Sequence, residues 1–188
     1  MQPYCQIARH HPVHRQYHDN EYGFPQDAET VLFERLVLEI NQAGLSWLTI
    51  LNKRENLRHA YAAFDVDRVA AMQTLEIDLL MQNAGIIRQR KKIEAVITNA
   101  RVIQSFRNSH GGFYHWLRCH HPQSEQQWVT LFRSVFHFTG PQITREFLMS
   151  IGFLPGAHDP SCPIYSTIEM LKPAWMDKRA HCTLVSRR

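Results

Sequence analysis

Cys5 and His18 stand near one end of this chain, and His158 and Cys162 near the other, the second pair spaced H-x-x-x-C. Two thiolates and two imidazoles make a closed tetrahedral donor set that suits zinc and leaves no position for water. Such a set ties distant segments together and does no hydrolysis, so the chemistry is expected elsewhere. One carboxylate stands out. Glu39 lies in LVLEINQAGLSW, among apolar residues and ahead of Trp47. There it is a buried ionised acceptor or an acid of raised pKa; an exposed Glu on the polar side of an amphipathic helix is the plainer alternative. Tyr17 and Trp47 offer flat faces for a planar ligand, or simply core. Leu79–Arg90, LLMQNAGIIRQR, reads as a helix stopping at Gly85, a tight turn and a new basic helix. A helix start presents free N–H groups to a phosphate, and Arg88, Arg90, Lys91 and Lys92 add positive charge. FTGPQI, Phe138–Ile143, is a second turn into a helix start.

A chain of 188 residues with 44% hydrophobic residues suffices for one good core. The net charge of +4 leans toward an anionic partner. Met1–His11 has no apolar run, so no secretion signal is expected. No apolar stretch approaches the ~20 residues of a membrane span. Four cysteines without a secretion signal argue for a reducing cytosol and against a disulfide framework; Cys119 and Cys182 are expected to be ordinary thiols.

The elements that must carry these residues read as helices. Asp27 caps a helix with Leu32, Phe33, Leu36, Val37 and Ile40 on one face, and Gly44 stops it. Ser46 caps a second over 47–61. Asp65 and Thr74 open shorter ones over 66–72 and 75–82. A longer helix over 89–104 spaces Ile93, Val96, Ile97, Ala100 and Ile103 at helical period. Ser124 caps another, with Trp128, Leu131, Phe132 and Val135 inward. Pro141 begins the last strong helix and Gly152 follows it. No alternating run suggests a sheet, so the expected class is all-α. The stretch Ser109–Gly112 reads as a loop and 166–188 as an irregular tail behind one domain, 1–165.

In this order the blocks YHDNEYGFP (17–25), LEINQAGLSWLTILNKRENLR (38–58), NAGIIRQRKKIEAVITNA (83–100) and FHFTGPQITREFLMSIGFLPGAHDPSC (136–162) resemble the 3-methyladenine DNA glycosylase I family of bacterial alkylation-repair enzymes. FDVDRVAAM at 64–72 fits between them, and the likeness lapses over Ser105–Arg133 and past Cys162. The resemblance implies a helix-hairpin-helix glycosylase bundle with zinc on Cys5, His18, His158 and Cys162. It puts the base-binding carboxylate on Glu39 and the pocket rings on Tyr17 and Trp47. Two further pocket positions fall on Ile7 and Tyr22, where the family pattern has Trp. The DNA-gripping hairpin falls on Asn83–Lys92, with the backbone of Gly85 and Ile86 and the side chains of Arg88 and Lys92 on phosphates. The expected partner is double-stranded DNA carrying alkylated purines, met in the cytoplasm by a monomer. The expected reaction is hydrolysis of the N-glycosidic bond without strand cleavage. Two rivals remain: a non-catalytic or altered-specificity DNA-binding relative, and a zinc hydrolase, which the closed ligand set opposes.

Overall fold

A computed structural model describes residues 4–179. Among them the chain forms eleven α-helices and no strand: α1 Tyr4–Arg9, α2 Pro12–Asn20, α3 Glu29–Gln42, α4 Trp47–Ala60, α5 Val66–Ala70, α6 Thr74–Gln82, α7 Arg90–His110, α8 Phe113–His120, α9 Glu125–Val135, α10 Pro141–Ser150 and α11 Pro163–Met170.

The all-α expectation holds. Ser46 accepts a hydrogen bond from the Thr49 N–H (3.2 Å) and Asp65 one from the Arg68 N–H (2.9 Å), so both N-caps are real. Some boundaries differ. Ala28, not Asp27, occupies the N-cap of α3 and offers no side-chain bond. Helix α7 runs through Ser109 to His110 and ends where Gly111 turns to φ +83°; the sequence there is polar, and packing on α5 and α8 carries it. Helices α1, α2 and α8 were not visible in the sequence pattern. Helix α11 starts at Pro163, inside and beyond the point where an irregular tail was expected; Cys182 lies outside the described residues.

Helix α3 is the axis. It is buried without interruption from Leu32 to Asn41, its charged residues Glu34, Arg35 and Glu39 included. Helices α4, α7, α8 and α10 pack around it. An aromatic cluster fills the far side, with Phe106 stacked on Trp116 at 4.7 Å and Phe113 parallel to Phe147 at 5.9 Å. Burying three charges on one helix is costly unless they are paired. The Arg35 guanidinium donates to Glu21, and Arg54 on α4 donates to Glu21 (2.7 and 2.8 Å) and to Glu34 (2.8 Å). Arg35 also lies over the Tyr17 ring, 4.8 Å from its centre. This network clamps α2 onto α3 and α4. Glu39 is outside it. No helix among the described residues is long and apolar enough to cross a membrane.

Candidate functional site

A cavity of about 570 Å³ opens where α1, α2, the start of α4 and α10 meet one end of α3. Glu39, Tyr17, Tyr22, Trp47 and Ile7 all line it. Glu39 is 4% exposed, and its carboxyl makes no hydrogen bond among the described residues. Burial drives its pKa well above the usual carboxylate range, the Glu146 charge adds to that, and Arg35 opposes it. In the empty cavity Glu39 is therefore held toward its protonated form. The Tyr17 ring meets Trp47 edge-on at 5.2 Å and tilts against Tyr22 at 5.7 Å. The Tyr17 hydroxyl is buried without a partner, and burial raises its pKa. Ile7, 39% exposed, sits at the rim on α1.

Among the lining residues that escaped the sequence reading are Tyr4, Gln42 and Glu146. Gln42 is three residues beyond Glu39, a neighbour on one helix face, so spacing could have found it. Glu146 is more than a hundred residues away and only tertiary packing brings it in. It accepts a hydrogen bond from the Tyr22 hydroxyl (3.0 Å) and one from the Gln142 amide (2.9 Å).

Beside this cavity, Cys5, His18, His158 and Cys162 are all buried, and one donor atom from each lies within 4.8 Å of all the others. The Cys162 sulfur is 3.6 Å from His158 Nδ1 and 3.7 Å from His18 Nε2, and the Cys5 sulfur is 3.9 Å from His158 Nδ1. Tetrahedral metal bonds of ordinary length separate sulfur and nitrogen ligands by about 3.6 Å. The outward nitrogens are engaged: His158 Nε2 donates to the Tyr22 carbonyl (2.7 Å) and His18 Nδ1 to Asp19 (2.6 Å). That fixes both lone pairs inward, the arrangement metal-bound imidazoles adopt. Burial lowers the His158 pKa, favouring the neutral ligating form. The four residues can hold a metal ion.

The third set is the corner between α6 and α7. The Asn83 side chain accepts from the Gly85 N–H (2.9 Å), and Lys53 of α4 donates to the Ala84 and Gly85 carbonyls (3.1 Å each). A Cβ on Gly85 would come within 3.0 Å of Asn83 Oδ1 and 3.1 Å of Asn56 Cγ, so a larger residue there must push these two side chains aside. The Ile86 side chain is buried in the core, which leaves its backbone for any external contact. Arg88 is exposed and forms no ion pair among the described residues. Lys92 departs from expectation. It is 2% exposed, and its ammonium donates to the Asn41 carbonyl (2.7 Å) and the Ala43 carbonyl (2.6 Å). These belong to the end of α3, where carbonyls lack helical partners and positive charge is favoured. A Lys so placed cannot reach a phosphate.

A sequence profile of methyladenine glycosylases matches residues 7–131. The chain belongs to the methyladenine glycosylase family. DNA-3-methyladenine glycosylase 1 of Escherichia coli is 50% identical over 97 residues, 52% of each chain. The chain thus matches about half the length of such curated relatives. Solved structures agree over more of it. A 3-methyladenine DNA glycosylase I from Staphylococcus aureus is 31% identical with a TM-score of 0.76, covering 86% of this chain and 95% of its own. A variant of 3-methyladenine DNA glycosylase I in complex with 3-methyladenine is 30% identical with a TM-score of 0.78, covering 86% and 96%.

Proposed function

We propose that this protein removes 3-methyladenine from alkylated double-stranded DNA by hydrolysing the N-glycosidic bond, leaving the strand intact. The observation that carries this reading is Glu39: a fully buried carboxyl without a protein partner, facing an aromatic-walled cavity in a methyladenine glycosylase. Methylation at N3 makes adenine cationic, so the base departs neutral and needs little protonation. The protein's task is to extrude the nucleotide, hold the base and admit water. Tyr17, Tyr22 and Trp47 supply stacking surface, with Ile7 at the rim. The incoming cation offsets the cost of burying charge on Glu39, which favours the ionised carboxylate that accepts hydrogen bonds from the base edge. No Lys lines the cavity, which fits hydrolysis without a Schiff base and hence without strand cleavage.

Within this reading α6 and α7 form a helix-hairpin-helix. The N–H groups from Gly85 to Arg88, Ile86 among them, and the Arg88 side chain take phosphates, which positions the protein without reading sequence. Zinc is the metal that suits Cys5, His18, His158 and Cys162 best, and its role is to tie α1 and α2 to the start of α11. A monomer working in the cytoplasm completes the proposal.

A second reading, a relative that binds DNA without excision, draws on Ile7 and Tyr22, which offer less ring surface than Trp. Chromatography of bases released from methylated DNA decides. Release of 3-methyladenine is the expected result, and an unchanged substrate would favour the second reading.

A further inference from the structure

We propose that Glu146 is a second, specificity-determining carboxylate of the cavity, tuning it to a base that carries positive charge. This rests on the base-excision reading of the site and adds a residue and a substrate preference to it.

Helix α10 brings Glu146 to the cavity wall beside Tyr22, on the same cavity that α3 lines with Glu39. Both Glu146 oxygens are engaged, one by the Tyr22 hydroxyl and the other by the Gln142 amide. Each oxygen has two acceptor sites, so each keeps one for a ligand. Both donors are neutral, and Glu146 forms no ion pair among the described residues. Two arginines lie near, Arg145 on the cavity lining and Arg35 beside Tyr17, and each has its ion pair with another carboxylate. The Arg145 guanidinium turns to Glu125 at 3.6 Å, and Arg35 is bound to Glu21 behind Tyr17. The wall also carries the Glu39 carboxyl and the Tyr17 hydroxyl, both buried and neither hydrogen-bonded, together with Gln42 and Asp159. The wall therefore presents the Glu39 and Glu146 carboxyl groups with unspent acceptors, and neither forms an ion pair among the described residues. A flat cationic base supplies what is missing. The phenol of Tyr22 matters here, since its hydroxyl orients the Glu146 carboxylate while its ring remains a wall.

The test uses two probes that differ by one N9-methyl group and one charge: 3-methyladenine, uncharged at pH 8, and 3,9-dimethyladeninium, whose charge is permanent. Both are titrated against the natural protein by tryptophan fluorescence, since Trp47 lines the cavity. The ratio of the two affinities is the readout, because a merely structural change moves both together. Glu146→Gln keeps shape and removes charge. It is expected to lower the preference for the cation by about tenfold, the scale of one unscreened charge in a partly buried site. Glu146→Asp keeps the charge and should retain most of the preference. Tyr22→Phe removes the hydroxyl alone and should keep the preference within about twofold, as the charge remains. An unchanged ratio in Glu146→Gln would overturn the proposal. So would an equal loss in Tyr22→Phe, which would make Glu146 a prop for the ring. Base release from methylated DNA is measured alongside. No release with the charge preference intact would overturn excision and keep the cationic site; release with a flat ratio would do the reverse.

Discussion

Glu39 concentrates the tension of this site. A carboxyl buried on the central helix, without a hydrogen bond, is a liability to folding and an asset to binding. Burial raises its pKa in the folded protein above that of the unfolded chain, with Glu146 contributing. The folded state then holds the proton more tightly, so the stability linked to Glu39 is fully present below its unfolded value. It is lost as pH rises toward the folded value. Glu39→Gln should therefore raise the melting temperature at pH 8 by several degrees, on the order of 1–2 kcal/mol. The gain should vanish near pH 4, and scanning calorimetry across that range checks it. The same substitution puts a donor where the base edge presents donors, so excision should fall at least ~100-fold while binding to undamaged DNA barely changes. Equal excision by both proteins would make the carboxylate merely structural.

At the scale of elements, the corner between α6 and α7 separates two lysine-and-arginine roles that look alike in RQRKK. Lys92 closes the end of α3 and Arg88 projects into solvent. Lys92→Met leaves the Asn41 and Ala43 carbonyls without their donor and should cost about 1–3 kcal/mol of stability. Arg88→Ala should leave the melting temperature alone and flatten the salt dependence of DNA binding by about 0.9 in log–log slope. Reversed results in melting and salt titrations would reverse the assignment. The turn after α2 is as demanding. Gly23 has φ +83°, and a Cβ there would meet the Ala157 Cβ at 2.8 Å and His158 Cδ2 at 3.2 Å. Gly23→Ala should destabilise the fold by about 1–3 kcal/mol and loosen the metal site with it, read as weaker metal retention on dialysis.

For the whole molecule, the Cys5, His18, His158 and Cys162 group brings residues 5 and 162 together, so a metal held there would add folding energy to the segments that wall the cavity. His158 both faces the cluster and holds the Tyr22 backbone. Protein purified without chelator should carry about one zinc per chain by elemental analysis. Chelation, or Cys162→Ser, should lower the melting temperature and weaken 3-methyladenine binding together. An unchanged melting curve after complete metal removal would sink the structural role.

The residue types of the metal cluster, the caps at Ser46 and Asp65 and the apolar period of α3 and α7 were legible because each depends on local chemistry or helical spacing. So was the pocket list of Glu39, Tyr17, Tyr22, Trp47 and Ile7, which came by resemblance and which the fold gathers around one cavity. Helices α1, α2 and α8 were hidden because segments of six to nine residues are too short for helical spacing to declare itself and hold helical form through their packing. Lys92 was misread since a basic run does not reveal which member faces an orphaned carbonyl. Local pattern determined the long helices and the types of the reactive groups. Tertiary structure alone decided that Glu146 meets Tyr22 and that Arg35 pairs with Glu21, leaving Glu39 without an ion pair among the described residues. Charge and hydrogen bonding act through space at a few ångströms, and sequence separation carries no record of that distance.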